Sequence, residues 1–252
     1  MSRFVELLGT SFDGETGADF EDVLYDGLDD PRHRARVPRL VALLGSGTER
    51  ERLLACVALT TWAEPAGYEA VIAAAATPEQ APWYGALIDR KFSVDSTFAQ
   101  LALAVSDSDV LAGEKGTAGQ RVAAFRALVR IADREYFDEK LADQLDAEAV
   151  RALVPDIEAA VRRGLPRIAE APFDLATQLV DLAAAVATVD GPLAVRLARD
   201  VLAEEASGRT LRHAAAVVQR SQCPEARSFG EHLKNAGGAG WPSRPETQHE
   251  DR

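Results

Sequence analysis

The feature that most constrains this chain is a pair of apolar helices cut by a glycine turn, repeated along its length. The clearest copy, PRLVALLGSGTERERLLACVALTTW, runs from Pro38 to Trp62. Gly45-Ser46-Gly47 interrupts one apolar helix, and the next opens with charge and turns almost wholly apolar. Weaker, arginine-bearing echoes fall at Asp107 to Phe137, Val150 to Val189 and Leu193 to Arg220. Helices with one apolar stripe bury it most readily against their neighbours, so consecutive pairs stack. A stack of this kind usually holds a partner rather than performing chemistry.

The spacing of apolar residues predicts an all-α fold. Val122, Phe125, Val129, Ala132 and Tyr136 step by three or four residues, as do Val150, Val154, Ile157 and Val161. Pro155 is expected to kink or divide the second of these helices. Leu175, Leu179, Leu182, Val186 and Val189 repeat the step with so few charges that this helix should be buried on most sides. Asp30-Pro31 and Asp190-Gly191-Pro192 read as helix starts, and Gly164, Gly208 and Gly237-Gly238 as terminators. No alternating run bounded by hairpin turns predicts a sheet. The expected organisation is one helical-repeat domain over residues 1–236, with an acidic segment at 1–30, a loop at 9–19 and a disordered tail at 237–252.

The 38–62 segment resembles a HEAT-like repeat. Leu40, Leu43 and Leu44 match its first helix, and Arg50 or Arg52 followed by Ala55, Ala58 and Leu59 its second. Leu197, Val201 and Leu202, then Ser207-Gly208 and Leu211 to Ala215, look like a further copy, and the Val154-Pro155 bend is similar to the bent first helix of such repeats. The resemblance implies stacked antiparallel hairpins forming a short α-solenoid. The irregular stretch from Thr77 to Gln100 interrupts it, and a compact irregular helical bundle is the alternative.

Charge narrows the partner. The chain carries a net charge of −12, and residues 1–30 hold nine acids against Arg3 alone. Such a chain is a poor ligand for a phosphate backbone, so nucleic acid is disfavoured, as is a DNA glycosylase on helical repeats. No apolar run reaches the roughly 18–20 residues of a membrane span. Two isolated cysteines and no secretory leader predict a reducing, cytoplasmic setting.

Motifs for chemistry are weak. GEKGTAG at 113–119 lacks the Gly-Lys-Ser/Thr ending of a P-loop and reads as an interhelical loop. The run DGETGADFEDVLYDGLDD fails the calcium-loop offsets, because Ala18 stands where the obligatory glycine belongs. The four histidines are isolated, and His213 reads as a partly exposed structural residue. No metal or cofactor is expected, and no enzyme.

Two segments remain as candidate partner-binding residues. One is the acidic helix, through Asp19, Glu21, Asp22 and Asp26. The other is the aromatic break APWYGALIDRKFSVDSTF, through Trp83, Tyr84, Arg90 and Phe92, residue types enriched in interface hot spots. The expected function is a non-enzymatic protein-interaction module or scaffold whose partner is another protein, with a basic protein the one its charge suits. A narrower form is an immunity- or antitoxin-like protein that neutralises a basic toxin.

Overall fold

The structure, a computed structural model, describes residues 3–89, 94–137 and 139–237. Among these residues the chain is all-α, with helices packed largely in sequence order. The N-terminal part holds α1 (Arg3–Leu8), a loop tied by a bridge between Thr10 and Thr16, and α2 (Phe20–Asp29). After a 3-10 turn at Pro31–Ala35 come α3 (Val37–Ser46), α4 (Glu49–Thr61) and α5 (Pro65–Ala76). The break follows, with a two-residue antiparallel pair, β1 (Ile88–Asp89) and β2 (Val94–Asp95). Then come α6 (Thr97–Asp107), α7 (Asp109–Lys115), α8 (Ala118–Val129), α9 (Lys140–Asp143) and α10 (Ala147–Gly164). The C-terminal part is α11 (Leu175–Val186), α12 (Gly191–Glu204), α13 (Gly208–Arg220) and α14 (Pro224–Gly237). No helix of the described residues is long and apolar enough to cross a membrane.

The 38–62 copy shows how sequence sets a helix pair. Thr48 caps α4, and Glu51 reaches back to the Thr48 amide at 2.9 Å, which satisfies donors a helix start leaves open. Arg52 then turns back across the glycine turn and donates to the carbonyls of Gly47 (2.8 Å) and Gly45 (3.1 Å). Those carbonyls lie at the end of α3, where acceptors lack helical partners and a cation is favoured. Arg121 of α8 does the same for α6, donating to the Val105 carbonyl at 3.1 Å while pairing with Asp146 and Asp109. The arginine is a turn clamp.

All twelve residues of α11 are buried. It packs against α10, α12 and α13, so its uncharged stripe becomes an all-round apolar surface. Even Gln178 is enclosed, where its amide is used fully: Nε2 donates to the carbonyls of Ala132 and Glu135, and Oε1 accepts from the Phe137 amide. One contiguous core runs from Leu7 to Leu233, with Trp62, Tyr68, Phe98, Phe125, Phe137 and Phe229 its largest enclosed rings.

Several local expectations change. Pro155 does not divide α10, which continues from Ala147 to Gly164. The 122–136 step outruns its helix: α8 ends at Val129, and Ala132 is buried from a following turn. Gly208 opens α13 instead of closing α12, because the Ser207 hydroxyl caps the Thr210 amide and starts the helix one residue earlier. Gly113 belongs to α7, and only Gly116, at φ +69, makes the turn of the GEKGTAG run. Asp30 and Asp190 cap helical starts as expected. The tail from 238 onward lies outside the described residues.

Candidate functional site

The acidic segment is tied to the stack by Trp62 and Arg36, and Lys115 ties down the turn that follows it. Trp62, at the C-terminal cap of α4, donates from its indole nitrogen to the Leu24 carbonyl at 2.9 Å. Arg36 donates to the carbonyls of Leu7 and Ser11, with its guanidinium 4.0 Å from the Phe12 ring centre. Lys115, at the end of α7, is half of a partly buried ion pair with Glu64 and also donates to the Trp62 carbonyl at 2.7 Å and to His33 Nε2 at 3.0 Å. The lysine of the glycine-rich run is therefore occupied inside the fold. His33, 2 % exposed, is held below its ordinary pKa by burial, with Lys115 adding to the effect.

With its apolar side held down, α2 turns its other face outward. Val23, Leu24 and Gly27 are buried, while Glu21, Asp22, Tyr25, Asp26 and Asp29 are exposed. Asp19 caps the helix through the Glu21 amide at 2.9 Å, a structural duty added to its charge. Glu6, Asp13 and Asp30 are paired with Arg39 and Arg32, but no ion pair of the described residues involves Glu21, Asp22, Asp26 or Asp29. Tyr25, 49 % exposed, stands amid these carboxylates and donates to Asp107 Oδ2 at 3.3 Å. Asp107 is the last residue of α6. Sequence reasoning passed over Tyr25; the available signal was its i−4, i−3 and i+4 spacing from Glu21, Asp22 and Asp29.

The aromatic break sits at the other end of α6. Asp95, just before it, accepts from the Gly85 amide at 2.8 Å and from the Thr97 amide at 3.0 Å, fastening the Trp83–Tyr84 turn to the helix start. Trp83 is 3 % exposed and serves as core, whereas Tyr84 is 41 % and Ile88 52 % exposed. Burial raises the Tyr84 hydroxyl above its ordinary pKa, and the Glu135, Glu79 and Asp95 carboxylates add to that rise. Glu135 is itself pushed up to about 7, mainly by burial. Arg90 and Phe92 lie outside the described residues.

The two candidate segments thus lie at opposite ends of α6, an acidic face around Tyr25 at one end and the half-exposed Tyr84, with Glu79, Glu135 and Asp95 nearby, at the other. Chemically they offer aromatic area and hydrogen-bond acceptors, which suits cationic side chains. Elsewhere, an open hollow of about 480 Å³ between α12 and α14 is lined by Arg199, Leu202, Ala203, Phe229 and His232. His213 contacts Asp181 at 2.8 Å, a pair that sequence reasoning did not bring together. Cys56 is fully buried and its thiol pushed up to about 12, which makes it a poor nucleophile or ligand. Among the described residues, no group of three His, Cys, Asp or Glu is placed to hold a metal ion. No family model matches the chain, and no curated protein or solved structure matches it significantly.

Proposed function

We propose that this chain is a non-enzymatic protein-interaction module, a short HEAT-like stack that receives a basic protein partner on its tyrosine-centred acidic patches. The observation that carries the reading is the exposed α2 face. Four carboxylates neighbour Tyr25 on α2 with no intramolecular cation, although Glu6, Asp13 and Asp30 of the same segment are paired with arginines. Unneutralised like charges on one face repel each other, and a basic surface relieves that repulsion on docking. Supporting the stacked-hairpin reading, α11 to α14 pack each on the next and on the next but one, as layered hairpins do. The arginine clamps recur at two of the turns.

The same unpaired carboxylates favour a narrower reading, an immunity-like protein that neutralises a basic toxin, since opposite fields speed encounter.

The test is capture of partners from the native host with wild type, Tyr25→Ala, Tyr84→Ala and a quadruple Glu21→Gln/Asp22→Asn/Asp26→Asn/Asp29→Asn variant. A basic protein retained by wild type, lost with the quadruple variant and released by moderate salt supports the reading. Equal retention by all four proteins at high salt refutes it. Trp83 is not a usable probe, because removing a core indole tests folding instead of binding.

A further inference from the structure

His213, on α13, stands between two carboxylates from different elements. Its Nδ1 lies 2.8 Å from Asp181 Oδ1 of α11, and its Nε2 lies 3.5 Å from Glu139 Oε1. Glu139 is the residue that opens α9, and its side chain is about half exposed, at 49 %. Asp181 is the opposite: 8 % exposed, with Oδ2 left without a hydrogen-bond partner. The imidazole therefore joins an enclosed carboxylate to a surface one.

A neutral imidazole has one N–H and satisfies only one of these oxygens, leaving a lone pair turned toward the other. The imidazolium has two N–H groups and satisfies both. We propose that His213 is a proton-operated clasp: protonated, it ties α13 to both Asp181 of α11 and Glu139 at the head of α9, and loss of the Nε2 proton lets the Glu139 side go. Glu139 has an alternative cation at hand, because Arg209, one turn before His213, lies 3.8 Å from it and 3.5 Å from Asp174.

The surrounding charges are consistent with a local event. On α9, Asp143 is occupied by Arg220 of α13 at 3.1 Å. On α11, Asp174 caps the helix start through the Thr177 amide. Among the described residues, α12 and α14 bring no ion pair to His213 or Asp181. Burial raises the Asp181 carboxyl to about 6, His213 opposes that rise, and Glu139 and Asp143 add to it. The device goes beyond partner binding: it sets how firmly α9, the shortest α-helix of the described residues, is held to α13.

The experiment is amide hydrogen exchange, corrected for intrinsic rate, on wild type, His213→Asn and Glu139→Gln at pH 8 and pH 6. In wild type, protection over residues 139–145 should rise about threefold on acidification, the size of a half-exposed ion pair. His213→Asn keeps a donor toward Asp181 but cannot titrate, and Glu139→Gln removes the charge that draws the imidazolium; over residues 139–145 both should lose most of the wild-type rise and keep only what Asp181 contributes. Imidazole ¹⁵N shifts should show both nitrogens of His213 protonated at pH 6. A flat wild type, or the same rise in Glu139→Gln, overturns the clasp. The Glu139 arm decides the matter if His213→Asn does not fold.

Discussion

Gly27 of α2 packs against the face of the Trp62 indole so closely that no side-chain carbon fits between them. An added Cβ would collide with Nε1 and Cε2, the atoms that position the donor to Leu24. A similar approach brings Gly67 of α5 against the backbone of Leu59 and Thr60 in α4.

Gly27→Ala should therefore destabilise the protein by about 1–3 kcal/mol, the range for overpacking a tight contact. Trp62→Phe, which keeps most of the area but drops the hydrogen bond, should cost about 1–2 kcal/mol. Urea denaturation measures both, and an alanine variant as stable as wild type would contradict the contact.

His33 makes stability fall in acid. Its folded pKa lies below the ordinary value of 6.5, so its contribution is complete above 6.5 and is lost as pH falls through the folded value. Protonation also places a second cation against Lys115, 3.0 Å away. His33→Gln should remove this component, and comparing its denaturation free energy with wild type between pH 8 and pH 5 checks it.

Asp181 acts with the opposite sign. Its folded pKa, about 6, lies above the ordinary 3.8, so the folded state holds this proton more tightly and the group adds stability as pH falls through 6. Asp181→Asn should lose no stability at pH 8, and wild type should gain on it by about 1–2 kcal/mol toward pH 5. A variant that is strongly destabilised at pH 8 would show that the ionised carboxylate is needed.

Tyr25→Ala should leave stability within about 0.5 kcal/mol of wild type, as exposed positions generally do. It should weaken partner binding by about 2 kcal/mol if Tyr25 is the anchor of the acidic patch. Calorimetric titration with the captured partner reads the loss.

Native protein should take up iodoacetamide at Cys223 alone. Cys223 is partly exposed, whereas Cys56 is enclosed with its thiol raised to about 12. Intact mass should show one adduct natively and two in denaturant.

What could be read from the sequence follows the range of the interaction. The α11 stripe was legible because its Leu and Val positions repeat within one helix, and so were the Asp30 and Asp190 caps, which act over two or three residues. Gly208 misled because a serine cap one residue earlier outweighs the glycine's tendency to break a helix. The small β1–β2 pair is too short to show an alternating pattern. Of the site, the acidic charge and the aromatic cluster were visible, but Trp83 and Tyr84, adjacent in sequence, differ wholly in exposure. The pairing of His213 with Asp181, and of Lys115 with His33 and Glu64, joins residues far apart in the chain and is set by packing alone.

If the proposed partner engages both ends of α6, that helix would act as a ruler. Its eleven residues span roughly 16 Å at about 1.5 Å per residue, a length that about five extended residues of a partner would match. A ligand with two cationic clusters at that interval gains the second contact at high local concentration, whereas closer or wider spacing forfeits it. Selectivity would then reside in the interval between basic groups, and lengthening α6 by one turn would retune it.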